Sequence, residues 1–386
     1  MILTYKYRLL PNKRQHTALA DVCERQRILY NAALEERIGC YRKTGKGRSY
    51  IDQAKALTEC RRDVDGMSGL PVNLQRWTLK RLDAAYQGFF SRLKKSGKAG
   101  FPRFRSKSRW RSFGFAEFSG IMLKDNRLRF AGIPGGLRVH MHRRLPEGKP
   151  LGCSLSKDSK GWTVAFQMNV EAAPKRTVSN PVGIDMGLIA FAYQSDGVAI
   201  PAPQVARRTE KEMRRRSRAL ARCKRGSANR GKVKQRLARL HAKIANKRST
   251  WLHQVSARIA NTYDLIIAED LRVANMVKNG RLARSISDAS WTKFLELLAY
   301  KAEKAGATFI KVNPKMTSQD CSGCGVTVRK GLSVRVHSCP ECGLVLDRDY
   351  NAALNILRMG VLAHGGDNVA GYGERSRGNI SLEISN

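Results

Sequence analysis

Four of the nine cysteines are spaced as metal ligands. They form two Cys-x-x-Cys pairs with fourteen residues between the pairs, each pair followed at once by glycine, and the four residues are Cys321, Cys324, Cys339 and Cys342. Each pair offers two sulfurs at tetrahedral angles, and four thiolates close the coordination shell against water. The spacing therefore predicts a structural zinc ribbon, to which the nearby His337 is a surplus ligand.

Three acids could bind a different kind of metal. Asp185 lies inside an apolar segment, Glu269 ends the apolar run LIIAE, and Asp349 stands at the start of the apparent helix YNAALNIL. If they converge at one edge of a sheet, their carboxylates form an oxygen site for hard divalent ions of the kind that drive phosphodiester hydrolysis. Taken singly, Asp349 could be a helix N-cap and Glu269 a loop acid, so this alternative stays open.

A strongly basic stretch runs from residue 207 to residue 248. It contains eighteen Lys or Arg and two Glu, which gives a net charge of +16. Such a run is often only a solvated helix face, but so many like charges favour a nucleic-acid backbone as the partner. The candidate contact residues within it are Arg230, Lys232, Lys234, Arg236, Lys247 and Arg248. Arg76 and Lys80, on an earlier predicted helix, are further candidates.

Length and composition narrow the class of protein. A chain of 386 residues predicts two to four packed units, and a hydrophobic content of 42% excludes global disorder. The net charge of +41 predicts a polyanionic partner. No apolar run approaches the roughly 18 residues of a membrane span, no signal peptide opens the chain, and the other five cysteines are scattered. We therefore expect a soluble cytoplasmic protein with no membrane partner.

Hydropathy patterns divide the chain into regions. A strand-like opening, ILTYKYRL, precedes a helical pattern between about residues 13 and 95. The end of that pattern carries an apolar stripe that we expect to pack on a core, formed by Leu79, Leu82, Tyr86, Phe89, Phe90 and Leu93. From residue 101 to about 170 the period changes to two, which predicts a small antiparallel barrel or sheet. The remainder alternates strands and helices, which predicts an α/β unit with a mixed sheet.

Several segments of this chain occur in the same order in one known family. The chain resembles TnpB, a family of transposon-encoded RNA-guided DNA nucleases related to the compact type V CRISPR effectors. The resemblance spans roughly residues 2 to 360 and rests on LDAAYQGFFSRLKKSGKAGFPRFRSK, GIDMG, GSANRGKVKQRLARLHAKIANKR, IIAEDL, SISDASWTKFLELLAYKA, CSGCG, CPECG and DRDYNAALNI.

The resemblance implies a multidomain α/β architecture. An RNase H-like RuvC nuclease domain would carry an inserted zinc ribbon, and an N-terminal β-barrel wedge domain would be split around a helical recognition domain. The implied segments are 1–12 and 101–178 for the wedge, 13–100 for the helical domain, 179–318 and 347–362 for RuvC, 319–346 for the ribbon, and 363–386 for a flexible tail.

The resemblance also implies a function. Asp185, Glu269 and Asp349 match the family's catalytic acids and would hold two Mg²⁺ ions, while the zinc would be structural. The partners would be a guide RNA from the transposon and a target DNA, cut beside a short flanking motif. The location would be a prokaryotic cytoplasm, with association to the nucleoid when DNA is bound. Two alternatives are a guide-bound repressor without cleavage and a transposase that acts without RNA.

Overall fold

The chain divides into two compact units. The computed structural model describes residues 1–203, 205, 209–280, 282–331 and 333–365. The first unit is Met1–Val170 and the second is Glu171–Asn386. Of the predicted flexible tail, residues 366–386 lie outside the described residues, and Ala363 is the last residue of a helix. Within the described residues, no helix combines the length and apolarity that crossing a membrane requires.

A seven-stranded antiparallel sheet organises the first unit. Its strands are β1 (Ile2–Leu10), β2 (Ser112–Phe115), β3 (Ile121–Lys124), β4 (Arg127–Phe130), β5 (Leu137–His140), β6 (Gly152–Asp158) and β7 (Gly161–Asn169). Their order is β2-β6-β7-β1-β5-β4-β3. The opening strand β1 thus lies between strands that follow much later in the chain, as a domain split around an insertion requires.

Three helices occupy the insertion between β1 and β2. They are α1 (Lys13–Thr44), α2 (Tyr50–Asp63) and α3 (Val72–Ser96). A capping box starts α1, because the Asn12 side chain accepts from the Gln15 N–H and the Gln15 side chain accepts from the Asn12 N–H. These helices share one apolar core with the sheet, which includes Leu19, Leu74 and Phe113. The predicted helical segment and the predicted wedge segment as far as Val170 are therefore packed in one unit, whereas residues 171–178 belong to the second unit.

The apolar stripe of α3 covers the core over only part of its length. Leu79 and Leu82 are buried, but Phe90 is 49% exposed and Leu93 is 40% exposed. The expectation that the whole stripe packs on a core is wrong, because the buried residues of α3 end at Leu82. Beyond that point its rings pack on one another and on Phe101, whose centroid lies 5.3 Å from that of Phe89.

The second unit contains the predicted mixed sheet. Its strands are β8 (Pro181–Met186), β9 (Ala190–Gln194), β10 (Ala199–Pro201), β11 (Leu265–Glu269) and β12 (Thr308–Val312), in the order β10-β9-β8-β11-β12. Strand β11 is parallel to β8 and to β12, whereas β9 is antiparallel to β8 and β10. The two central strands β8 and β11 therefore end at the same edge of the sheet.

Among the described residues, the helices of the second unit are α4 (Glu210–Arg222), α5 (Ala228–Thr262), α6 (Val273–Met276), α7 (Ala283–Ala289), α8 (Trp291–Lys304) and α9 (Arg348–Ala363), and a hairpin of β13 (Val336–Ser338) and β14 (Val345–Asp347) precedes α9. Apart from the exposed α4, these helices cover both faces of the sheet. Val182 and Ile184 pack in one core with Leu252 of α5 and Phe294 of α8. Residues of α9 form a second core with alternate residues of β11. This layering encloses the two central strands.

Two glycines let α9 approach the sheet closely. A Cβ at Gly183 of β8 would overlap the carbonyl oxygen of Ala353 and lie 2.9 Å from the Cα of Leu357. At Gly360 of α9, a Cβ would lie 2.9 Å from the Cβ of Ile267. A side chain at either position would push the helix away from the strands. The glycines thus set where the first turn of α9 lies relative to the sheet edge.

Candidate active site

Parallel pairing brings two of the predicted acids together. Strands β8 and β11 run in register with Ile184 beside Ala268. The next residue on each strand is Asp185 and Glu269, so these acids are neighbours at the edge where both strands end. Residues in register on adjacent strands point to the same face of the sheet. The two carboxylates are therefore directed to one place.

The close packing of α9 delivers the third acid. Asp349 lies in the first turn of α9 and is buried. In the turn after β8, a Cβ at Gly187 would lie 3.8 Å from Oδ2 of Asp349. The structure thus brings Asp349 beside the end of β8, where Asp185 is located. The three acids predicted from separate segments meet at one edge of the sheet.

The other two acids perturb the ionisation of Asp185. Burial raises the pKa of Asp185 well above its usual value, and the negative charges of Glu269 and Asp349 raise that pKa further. Burial also raises the pKa of Glu269, which a hydrogen bond from Thr317 partly offsets. Two buried carboxylates beside the partly buried Asp185 are unfavourable when all three are charged. Such a cluster gains stability from a cation.

Two arginines already contact the third acid. Nη2 of Arg335 lies 2.7 Å from Oδ2 of Asp349, and Nη2 of Arg348 lies 3.2 Å from Oδ1. Sequence reasoning assigned no role to Arg335. Arg335 directly precedes β13 of the β13–β14 hairpin. Val336 of β13 pairs with Asp347 of β14, and this pairing places Arg335 near the start of α9.

Asp347 has a different role from Asp349. Its Oδ1 accepts hydrogen bonds from the N–H groups of Asp349 at 2.8 Å and Tyr350 at 3.3 Å, which makes Asp347 the N-cap of α9. The alternative that Asp349 is an N-cap is therefore wrong. Asp349 lies inside the first turn, and its carboxylate is directed to the arginines and the sheet edge instead.

A polar network that the sequence did not reveal joins Glu269 and α9 to the segment that precedes the cysteine cluster. Oγ1 of Thr317 donates to Oε1 of Glu269 at 2.6 Å. The Asn355 side chain donates to the carbonyl oxygens of Thr317 and Asp320, and the Asn351 side chain also donates to that of Asp320. The available signal was two asparagines four residues apart on an apolar helix, a spacing that puts both on one face.

The four predicted metal ligands form one cluster. Their sulfur atoms all lie within 4.8 Å of one another, with Cys321 and Cys342 at 3.6 Å and Cys324 and Cys339 at 3.5 Å. Four sulfurs placed about 2.3 Å from a tetrahedral zinc are separated by nearly these distances. Backbone N–H groups, first that of Cys342, lower the pKa of Cys339 to about 7. The donor set therefore fits a tetrathiolate metal site, to which His337 does not contribute.

The basic stretch forms an exposed pair of helices. Every residue of α4 is at least partly exposed, and the first buried residue of α5 is Leu240. Residues 210–239, which we term the basic arm, contain thirteen Lys or Arg and two Glu. Both acids are paired within the second unit, Glu210 with Arg284 at 2.8 Å and Glu212 with Arg216. Of the thirteen Lys and Arg side chains in the basic arm, all but Arg216 and Arg230 are exposed to solvent.

The residues predicted to contact nucleic acid differ in how exposed their side chains are. Exposed side chains are those of Lys232, Lys234, Arg236, Lys247 and Lys80. Arg76 is partly buried on α3.

Two of the predicted contacts have partners within the protein. Nη1 of Arg230 donates to the carbonyl oxygens of Leu220 and Cys223, and so fastens the end of α4 to α5. Arg248 pairs with Asp288. A role of either residue in nucleic-acid binding stays a prediction.

Three family models match parts of the chain. The model described as "Probable transposase" matches residues 165–280, "Cas12f1-like, TNB domain" matches 291–356, and "Helix-turn-helix domain" matches 1–46. The last description does not fit the observed elements, because residues 1–46 contain β1 and the single long helix α1.

Curated relatives and solved structures match almost the whole chain. "Putative RNA-guided DNA endonuclease" of Streptomyces pristinaespiralis is 33% identical, with 97% of this chain and 93% of the relative covered. "Putative RNA-guided DNA endonuclease InsQ" of Escherichia coli (strain K12) is 30% identical, with 94% and 93% covered. The "Cryo-EM structure of the Cas12f1-sgRNA-target DNA complex" matches with a TM-score of 0.59 at 16% identity, covering 89% of this chain and 83% of that chain.

These findings define first a fold and then a family. The fold is the multidomain α/β fold of the compact Cas12 nucleases. The chain belongs to the TnpB family of transposon-encoded RNA-guided DNA endonucleases, because two relatives share 33% and 30% identity with it over 93% of their own length. The resemblance seen in the sequence motifs is thereby confirmed.

Proposed function

We propose that this protein cuts DNA chosen by a bound guide RNA, with Asp185, Glu269 and Asp349 as the metal ligands of an RNase H-like RuvC domain. The observation that carries the proposal is the meeting of these three carboxylates at one sheet edge. Hydrolysis of a phosphodiester requires stabilisation of negative charge, which carboxylates alone cannot supply. The acids therefore need cations.

The donor set suits Mg²⁺. Carboxylate oxygens are the ligands that hard divalent ions prefer. When bound, such ions would activate a water molecule for in-line attack and stabilise the leaving oxygen. Thr317 orients Glu269 by its hydrogen bond, and Asp347 holds the helix start that carries Asp349. Arg335 adds positive charge beside Asp349, and a guanidinium also binds phosphate well.

The cysteine cluster supports a zinc ribbon with a mechanical role. We assign zinc to the four thiolates, since the distances between their sulfur atoms suit it. The ribbon hairpin leads directly into α9 and carries Arg335. Zinc would thus hold in place the chain segment that presents Asp349.

The remaining parts of the proposal concern the nucleic acids. The basic arm would hold the guide RNA, because phosphate contacts by Lys and Arg supply affinity without sequence choice. Base pairing between guide and target would select the DNA. In the first unit, we assign the seven-stranded sheet to the wedge and α1 to α3 to the recognition domain. The short flanking motif would be read there.

Reprogramming tests the proposal. We expect the protein, expressed together with the DNA downstream of its gene, to retain a discrete RNA. Exchanging the guide segment of that RNA should redirect Mg²⁺-dependent cutting to DNA that matches the new segment. Cutting without RNA would favour the transposase alternative. Guided binding without cutting would favour the repressor, although the three acids that a repressor could lose are all present.

Charge reversal on the exposed basic residues should release the RNA. We expect Lys232→Glu, Lys234→Glu and Lys247→Glu together to weaken guide binding at least about tenfold. The reason is that the three substitutions remove several phosphate contacts to the same RNA. RNA retained after purification at increasing salt measures the effect. The control carries the same charge change at Lys149, Lys278 and Lys304, which are exposed elsewhere. An equal loss in the control would assign the effect to net charge instead of the exposed basic helices.

A further inference from the structure

Two tyrosines stand beside the acids and have no part in the proposed mechanism. Tyr193 of β9 pairs directly with Asp185 of β8, and Tyr350 follows Asp349 in the first turn of α9. Their ring centroids lie 5.9 Å apart with an interplanar angle of 39°. Directly opposed residues of adjacent strands point to the same face of a sheet. The ring pair therefore shares the face that carries Asp185.

Core packing does not account for these rings. The two apolar cores described for the second unit include neither tyrosine, and both side chains are partly exposed. The turn after β8 adds more apolar surface, because Ile189 is 73% exposed there. Gly187 in the same turn approaches Asp349. The edge that carries the acids thus also presents aromatic and aliphatic groups to solvent.

The chemistry of this surface suits a nucleobase. The carboxylate of Asp347 accepts from the Tyr350 N–H, and the ion pair of Asp349 with Arg335 is adjacent, so charges of both signs lie beside the rings. The ring faces themselves offer no charge to a phosphate, whereas a base is neutral and has a π-face that can stack on them. Aromatic side chains stack on any base with little sequence preference.

We infer that Tyr193 and Tyr350 form a stacking platform for one unpaired nucleobase next to the phosphodiester that is cut. The inference rests on the proposed function and deepens it, since it names the part of the DNA that is held beside the acids. A stacked base would fix the position of its own phosphate relative to Asp185 and Asp349. The platform positions the substrate and takes no part in proton or metal chemistry.

Ring removal is the first part of the test. We expect Tyr193→Ala and Tyr350→Ala, as guide-RNA complexes, to cut matched DNA about 10- to 100-fold more slowly, which corresponds to one lost base stack. Tyr193→Phe and Tyr350→Phe keep the π-face and should cut within about threefold of the wild-type rate. Thermal unfolding and RNA retention check that each variant folds. If Tyr193→Ala does not fold, Tyr193→Leu fills the space without a π-face.

Base removal is the second part. Target DNA is prepared with one abasic site at a time around the cut position, and single-turnover cutting is measured. In the wild-type protein, one abasic position next to the cut should slow the reaction. Tyr193→Ala should show no further loss at that position, because ring and base act as a pair. If the Tyr193 ring only supported the fold, the loss of rate from Tyr193→Ala and the loss from the abasic site would add at every position.

The outcomes separate this inference from the proposed function. Wild-type rates in both alanine variants, or additive losses at every abasic position, would overturn the platform while guided cutting by the wild-type protein stands. If the wild-type protein cuts no DNA with any guide, the proposed function fails, and the platform fails with it.

Discussion

Replacing Asp349 by asparagine is expected to abolish DNA cutting while guide and target binding survive. Asparagine keeps the shape of the side chain but removes the charge that attracts a divalent ion and that Arg335 and Arg348 contact. We expect the cleavage rate to fall at least about a thousandfold, as it does when one member of a catalytic unit is removed. Binding depends on phosphate contacts and base pairing, which this substitution leaves intact.

The matched control is Asp347→Asn, the same chemical change two residues earlier. Asp347 caps α9 through its side-chain oxygen, and asparagine caps a helix about as well as aspartate. This variant should therefore cut at close to the wild-type rate. Binding and Mg²⁺-dependent cutting are scored separately on the same DNA. An active Asp349→Asn protein beside an inactive Asp347→Asn protein would refute the assignment, and loss of binding in both would mean that these acids serve the fold.

Replacing Cys339 by serine is expected to release zinc and reduce cutting together. Cys339 is buried, and its sulfur lies 3.5 Å from that of Cys324 in the cluster. Structural zinc contributes on the order of 10 kcal/mol to the folding of isolated zinc fingers. Its loss should free the hairpin that carries Arg335 and precedes α9. Zinc per chain, thermal unfolding and cutting rate measure the three consequences.

Cys60→Ser provides the comparison for this variant. Cys60 is exposed, unpaired with another cysteine and distant in sequence from the cluster. Its replacement should leave zinc content, unfolding and cutting unchanged. Retention of one zinc per chain by Cys339→Ser would contradict the four-thiolate assignment. Loss of zinc with full cutting would keep the assignment but remove the mechanical role of the ribbon.

The sequence by itself determined the features that depend on neighbouring residues. The cysteine cluster is one, because each Cys-x-x-Cys-Gly segment forms its own tight turn: Gly325 and Gly343 adopt φ values of 81° and 68°, which favour glycine. The cap of α9 by Asp347 is equally local, since it joins groups two and three residues apart, although from the sequence alone Asp349 was the residue considered for this role. The exposed basic helices were also predictable, because eighteen basic residues in one stretch cannot be buried.

Periodicity and charge counting alone did not decide which other side chains are buried or have partners within the protein. The stripe on α3 has helical spacing throughout, but burial depends on how far the neighbouring elements extend alongside it. Arg230 counts as a positive charge in the sequence, yet in the fold it holds two carbonyl oxygens at the end of α4. Composition records the groups that are present, and only packing decides which of them remain free.

Only the tertiary structure decided that the three acids meet. Asp185 and Glu269 are neighbours because β8 and β11 pair in parallel with one particular register. Asp349 joins them because Gly183 and Gly360 let α9 lie against those strands. The contact of Arg335 with Asp349 depends in turn on the ribbon hairpin. Strand register and the distance between a helix and a sheet are set by contacts between segments far apart in the chain, and no local pattern encodes them.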